Sequence, residues 1–309
     1  MIHSQKIFLS KYNHTQTQFD NTGLKWEELL AIADDYEVYK QILYPIAQYL
    51  NSRFMLAKEV HSVRYRLKDT EHLIDKIIRK RKENQARVID LSNYKSQITD
   101  LIGIRIIHLF KDNWQPIHEF LCANWDLAEE PTAYFREGDS TEITKGFKTL
   151  GCKIKPHPFG YRSVHYLLKC APEKETVISE VQVRTIFEEA WSEIDHIVRY
   201  PNHTTNVSLN HFLNIFNRLV GSSDEMGTFV VNLKKAAVEN EESKKRYEER
   251  INQLEQKINE SNSTSKLDIL EYLSAVRNAH NEIDYQKLLS TSITSFLFNE
   301  NIEKNTRSN

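Results

Sequence analysis

The chain has 309 residues, 40% of them apolar and 27% charged, with a formal net charge of −2. That length allows one large or two modest domains with a real core, and the near-neutral balance excludes polyanion recognition through the overall field, so an anionic ligand must meet a local basic patch. Cys122, Cys152 and Cys170 form no C-x-x-C pair and no sequence run reads as a secretory core or a bilayer span, so zinc, a disulfide framework and a membrane are not expected, and a cytoplasmic protein with reduced thiols is.

Apolar residues recur every three to four positions in residues 24–58, which predicts two helices broken near Pro45. "KDTEHLIDKIIRKRKEN" (68–84) predicts a helix capped by Asp69 or Thr70, with Leu73, Ile74, Ile77 and Ile78 on its buried stripe. "DLIGIRIIHLF" (100–110) is a β-branched run that reads as a strand buried on both faces. Residues 113–127 read as helical, and 130–160, rich in Gly, Thr, Lys and Pro, as a long irregular region. "YRSVHYLLK" (161–169) and "TVISEVQVR" (176–184) read as a hairpin of two strands turning through "CAPEKE". "TIFEEAWSEIDHIVRY" then reads as an amphipathic helix stopping at Pro201, with Trp191, Ile194 and Val198 fixing it to the strand end. Beyond residue 205 the pattern is helical: a helix, a Gly-Ser break, a long charged helix, a polar break at 259–265, and two further short helices.

Polar residues stand in unexpected places in the middle segment. Glu180, Gln182 and Arg184 alternate along an apolar strand and so share one face. Asp100 opens another apolar strand, and two carboxylates brought together from such strands are a usual way to hold Mg²⁺, whose remaining ligands are often substrate phosphates. The cations of "RYRLKDTEHLIDKIIRKRK" supply counter-charge. Arg79 to Lys82 are explained by a solvated helix face, whereas Arg66 and Lys68 precede the helix near its N-terminus, where backbone N–H groups favour phosphate. In "HPFGYRSVHYLLK", Tyr161 and His165 fall on one face, and Gly160 allows a turn or close approach. Each of these two side chains is equally at home in a core; together on a Mg²⁺-bearing sheet they make a platform for a base and its phosphates.

Four blocks in order, "RYRLKDTEHLIDKIIRK", "DLIGIR", "GYRSVH" and "EVQVRTIFEEAWSEIDH", resemble the synthetase domain of the RelA/SpoT family of nucleotide pyrophosphokinases over roughly residues 60–201. The resemblance implies an α+β fold: a mixed β-sheet, nucleotidyltransferase-like synthetase domain (60–204) between N-terminal (1–59) and C-terminal (205–309) helical regions. It implies transfer of pyrophosphate from ATP to the ribose 3′-OH of GDP or GTP, giving the alarmones (p)ppGpp and AMP.

By that resemblance Asp100 and Glu180 match the Mg²⁺-binding pair, with Glu180 also drawing the proton from the attacking hydroxyl. Arg66 and Arg105 match the arginines that sandwich the ATP adenine. Lys68 and Lys76 match cations on the ATP phosphates. Tyr161 matches the aromatic that stacks on the acceptor base, His165 a histidine near the acceptor phosphates, and Gln182 and Arg184 complete the polar face, with Glu193 and His196 supporting it. Where family members that make (p)ppGpp often carry a lysine, this chain has His157, which keeps open an adenosine nucleotide or a tRNA 3′ end as acceptor, as in toxic small members. The family's His-Asp hydrolase dyad has no counterpart. A catalytically inactive interaction protein is the reading from a different class, and the C-terminal helices are the expected surface for a homo-oligomer or an antitoxin.

Overall fold

The computed structural model describes residues 4–137, 139, 141–172, 174–199, 206–260 and 266–282. Its elements in chain order are helices α1 (Gln5–Lys11), α2 (Gln16–Asp20) and α3 (Trp26–Phe54), strand β1 (Ser62–Leu67), helices α4 (Thr70–Glu83) and α5 (Tyr94–Gln97), and strand β2 (Ile102–His108). Then follow helix α6 (Trp114–Asn124), β3 (Thr132–Phe135), α7 (Thr141–Thr149), β4 (Lys153–Pro156), β5 (Ser163–Cys170), β6 (Val177–Thr185), α8 (Ile186–Arg199), α9 (Val207–Glu260) and α10 (Lys266–Glu282). The fold is α+β, as expected.

The six strands form one mixed sheet in the order β1-β2-β6-β5-β3-β4. β2 and β6 run parallel at its centre, and β1 and β5 flank them antiparallel. One face carries Ile102, Ile104, Ile106, Val181, Val183 and Tyr166 into a core shared with α3, α4 and α6. The α4 stripe is as expected: Leu73, Ile74, Ile77 and Ile78 are buried, and Asp69 caps the helix by accepting from His72 N at 3.1 Å.

Several expectations are corrected. α3 does not break at Pro45. The proline stands on the exposed side, where water can serve the freed carbonyl, while Leu43, Ile46, Ala47 and Leu50 are buried on either side of it; their burial, roughly 1.5–3 kcal/mol for each large side chain, outweighs the proline's cost of about 3 kcal/mol. The region 130–160 contains β3, α7 and β4; the two strands are only four residues long, too short for alternation to show, and the Lys and Pro of β4 further hide it from a propensity reading. β2 is fully buried on one face, and on the other Ile107 is buried while Gly103 and Arg105 are only half-buried. Helix α9 passes through Gly221-Ser222-Ser223 without a break. Its buried stripe Leu213, Asn217, Val220 and Asp224 continues across that point, and Ser223 Oγ donates to the Leu219 carbonyl at 2.9 Å. Gly221 is there for approach: a Cβ would lie 3.2 Å from the Arg162 guanidinium. Ile194 is 43% exposed and does not anchor α8, whereas Trp191 is buried.

The chain divides into two compact units, Met1–Thr228 and Phe229–Asn309. The first holds the whole sheet. In the second, Arg277 binds Asn252 at 2.7 Å and Glu255 at 3.4 Å, joining α10 to the end of α9. Of the polar break expected at 259–265, Asn259 and Glu260 are still helical in α9, while 261–265, Pro201 and the last expected helix lie outside the described residues. No helix among the described residues is long and apolar enough to cross a membrane.

Candidate active site

Strand register builds a polar surface on the sheet face opposite the core. Directly opposed residues share a face. Arg66 pairs with Gly103 and Gly103 with Glu180, while Arg64 pairs with Arg105, Arg105 with Gln182, and Gln182 with His165. Four strands thus contribute charged or polar groups to two adjacent rows, and β6 supplies the central column of Glu180, Gln182 and Arg184.

Asp100 lies just before β2. Its Oδ2 is 2.8 Å from Lys68 Nζ and 2.7 Å from Lys76 Nζ, and its Oδ1 is buried with no hydrogen-bond partner. Burial raises the Asp100 pKa, but the two ammonium groups outweigh it and hold the carboxyl below its usual range. Glu180 is balanced in the same way: burial raises its pKa, and His165 Nδ1 at 3.0 Å with Gln182 Nε2 at 3.2 Å brings it below the usual range, the Asp100 charge acting in the opposite sense. Two ionised, part-buried carboxylates that sense one another, one with a free oxygen, fit a hard divalent cation. Among the described residues no group of three His, Cys, Asp or Glu side chains could hold a metal ion, so these two would be its protein ligands, with other oxygens completing the shell.

Beside this pair stands Tyr161. Its hydroxyl accepts from Arg184 Nη1 at 3.0 Å and lies 3.3 Å from His165 Nε2 and 3.4 Å from Gln182 Oε1. Arg184 also sits 5.4 Å from the Tyr161 ring centroid. Gly160 sets the ring's position: its φ is +73°, and a Cβ there would meet Asn217 Oδ1 at 3.0 Å and Arg136 Cγ at 3.1 Å. His157 packs 5.3 Å from Tyr161 and 5.8 Å from Tyr134, and burial lowers its pKa, so it is a neutral ring here and no fixed cation.

Asp100, Lys68 and Lys76 are thus brought together, as are Glu180, Gln182, His165, Tyr161, His157 and Arg184. Arg66 is exposed at the edge with its stem across Gly103. Arg105 differs from expectation. Its Nη1 donates to Glu189 at 3.0 Å and to Glu193, so both carboxylates of α8 hold the guanidinium. Lys68 and Lys76, expected on phosphates, both face Asp100. His196 is exposed.

Sequence reasoning missed Glu189 and Tyr134. Glu189 collects Arg105, Arg184 at 2.5 Å and Arg64 at 3.8 Å, and its spacing of four from Glu193 was the available signal that one side of α8 faces the sheet's arginines. Tyr134 of β3, 4.8 Å from the His165 ring, had none, because its strand was not recognised.

Residues 65–205 match the family model described as a region found in RelA/SpoT proteins. GTP pyrophosphokinase YwaC of Bacillus subtilis is 26% identical over 145 residues, 46% of this chain and 59% of that protein, so the chain spans about three fifths of that relative's length. Among solved structures, small alarmone synthetase 1 of Bacillus subtilis bound to its product pppGpp is 20% identical, covering 63% of this chain and 93% of its own, with a TM-score of 0.45. A GTP pyrophosphokinase family protein of Streptococcus pneumoniae is 19% identical, covering 76% and 97%, also with a TM-score of 0.45. Residues 65–205, a little under half of the chain, thus carry the region found in RelA/SpoT proteins.

Proposed function

We propose that the chain is an ATP:nucleotide 3′-pyrophosphotransferase that moves the β,γ-pyrophosphoryl group of ATP to the 3′-OH of GDP or GTP, releasing AMP. The observation that carries this reading is the Asp100 carboxylate, ionised between Lys68 and Lys76 with one buried oxygen unpartnered, beside a second ionised carboxylate at Glu180. Asp100 and Glu180 would hold Mg²⁺, which when bound offsets charge on the transferring phosphates. Lys68 and Lys76 stand where they can turn from Asp100 to those phosphates. Glu180, held by His165 and Gln182, is placed to accept the proton of the attacking hydroxyl. Tyr161 offers its ring to the acceptor base, Arg184 fixes its hydroxyl, and Arg66, exposed at the rim, is free to stack on adenine.

A second acceptor class, the tRNA 3′ end or an adenosine nucleotide, is favoured by one observation: the place of an expected lysine is taken by a neutral, ring-packed His157. In either case the protein works in the cytoplasm, and α10, with Leu267 and Tyr272 largely exposed, is the surface for a second copy or an antitoxin.

The test is an acceptor panel. Purified chain with labelled ATP, Mg²⁺ and GDP, GTP, ADP or deacylated tRNA should pass label to GDP or GTP, and Asp100→Ala or Glu180→Ala should lower transfer by about 10³-fold. Label on tRNA or ADP alone would select the second acceptor class. Label on none would favour an inactive interaction protein, and transfer that survives both substitutions would sink the site.

A further inference from the structure

A cavity of about 590 Å³ lies at the end of the sheet where β2 and β6 finish and β5 begins. One wall is apolar, formed by Trp114, Phe147, Leu150, Val164 and Val183. The other carries charge: Lys111, Asp139, Arg162, Glu188 and Asp224. None of Asp100, Glu180, Gln182, Tyr161 or His165 lines it.

The charges on that wall are unevenly satisfied. Arg162 gives Nε and Nη2 to Asp139 at 2.8 and 2.7 Å, and Nη1 to Glu188 Oε1 at 2.8 Å, so all three of its nitrogens are engaged by these two carboxylates. Lys111 is drawn to Glu225 at 3.1 Å. Arg184, also in the lining, is taken by Tyr161, Ser192 and Glu189. Arg136 stands outside the lining, 3.7 Å from Asp139. Among the lining carboxylates, one oxygen is left over on each of two: Glu188 Oε2 and Asp224 Oδ1 have no hydrogen-bond partner, although both residues are only 2% exposed; on the donor side Arg184 Nε and Nη2 make no hydrogen bond, Nη2 standing instead in an ion pair with Glu189. Thr185 Oγ1 donates to the other Asp224 oxygen at 2.8 Å.

A buried carboxylate without its partners costs several kcal/mol and normally finds a donor. Its pKa reports the shortage: burial pushes Asp224 up to about 6 and raises Glu188, with Arg162 only partly restoring the latter. Burial alone does not produce this, because Asp139 in the same wall, doubly bound by Arg162, is held below its usual range.

We infer that this cavity binds a small organic cation, one with a flat apolar body against Trp114 and Phe147 and an ammonium or amidinium end donating to Glu188 and Asp224. The site has a rim that can be altered without disturbing the wall. Gly146 of α7 lines the cavity, is exposed, and has no atom within 4 Å of the position a Cβ would take. The occupant would sit behind the Tyr161 platform and share Arg184 with it; an effect on transfer rests on the function proposed above, whereas binding does not.

The probe is benzamidine, titrated calorimetrically into the full chain beside neutral benzamide and anionic benzoate. Benzamidine is expected to bind at least tenfold tighter than benzamide, and benzoate not at all. Asp224→Asn, which keeps an acceptor for Thr185, and Gly146→Leu, which narrows the rim, should each weaken benzamidine at least tenfold while leaving the melting temperature of the free chain within a few degrees. Equal affinity for the three probes, no binding of benzamidine, or full affinity in both variants would each overturn the inference. Should Asp224→Asn fail to fold, Gly146→Leu decides alone.

Discussion

Two groups of buried carboxylates in the first compact unit start from the same physical penalty and end on opposite sides of the ordinary range. Burial is the largest influence on Asp100 and Glu180 at the sheet face and on Glu188 and Asp224 at the strand end, and in all four it raises the pKa. At the sheet face local donors win, because Asp100 has two ammonium groups and Glu180 has an imidazole and an amide. At the strand end one guanidinium is divided between Asp139 and Glu188, and Asp224 has a single hydroxyl. The number of donors per carboxylate, and not burial alone, decides which acids are held below their ordinary range and which are pushed above it. The first arrangement suits holding a cation and phosphates together; the second leaves acceptors waiting for donors.

The strand-end cluster is broken most severely at Arg162. Replacing it with Ala strips Asp139 of its bidentate partner and leaves Glu188 uncompensated, which should cost about 3–5 kcal/mol. Denaturant unfolding of Arg162→Ala checks this. A loss under about 1 kcal/mol would mean that water already serves these carboxylates and that the contrast with the sheet face is false.

The sheet-face arrangement is tested next by Lys68→Met with Lys76→Met. Asp100 then loses both cations, its carboxyl moves up with burial unopposed, and the transferring phosphates lose two positive groups. Transfer under the proposed reading should fall by about 10²-fold or more, read as initial rates with the acceptor that the panel identifies. A rate within threefold of the unaltered chain would show that the lysines serve only the fold.

Opposite pKa shifts give opposite pH slopes of stability. Asp100 and Glu180, held low, stabilise the fold above their unfolded pKa values, and this is lost as pH falls through the folded ones. Asp224, at about 6 against an ordinary 3.8, binds its proton more tightly in the folded chain. Its contribution is therefore most favourable below pH about 4 and is lost as pH rises to about 6. Asp224→Asn should remove that decline, so that the variant gains on the order of 2 kcal/mol relative to the unaltered chain between pH 4 and 7. Parallel stability curves for the two proteins over this range would contradict the shift.

These contrasts were legible in the sequence to different degrees. Alternation of period two revealed that Glu180, Gln182 and Arg184 share a face, because strand geometry is local. The α4 stripe was legible for the same reason. Asp139, Arg162, Glu188 and Asp224 were not, since they come from four separate segments and meet only through the packing of α8 and α9 against the strand ends. Helix continuity through Pro45 and through Gly221 was hidden because tertiary partners reverse the local preference: buried neighbours of Pro45 in one case, the guanidinium lying on Gly221 in the other. Arg105 was found and Glu193 was expected to support the polar face, but their pairing and the second carboxylate, Glu189, were not. The expected role of Arg105 on adenine came from the motif, and the two carboxylates that hold it lie more than eighty residues further along the chain.

That clamp gives the smallest effect and the finest test of the sheet face. Glu193 is 44% exposed on its side chain, while Glu189 is 11% exposed and also serves Arg184 and Arg64. Removing the Glu193 charge leaves Arg105 with a buried partner, so Glu193→Gln should cost under about 1 kcal/mol, the usual scale for an exposed pair. If Arg105 must leave α8 to stack on the donor base, the same substitution lowers the cost of leaving. The KM for ATP should then fall by about twofold with kcat unchanged, since the interaction released is one made before the donor binds. An unchanged or raised KM would assign Arg105 to holding α8 against the sheet, and leave the exposed Arg66 to meet the adenine by itself.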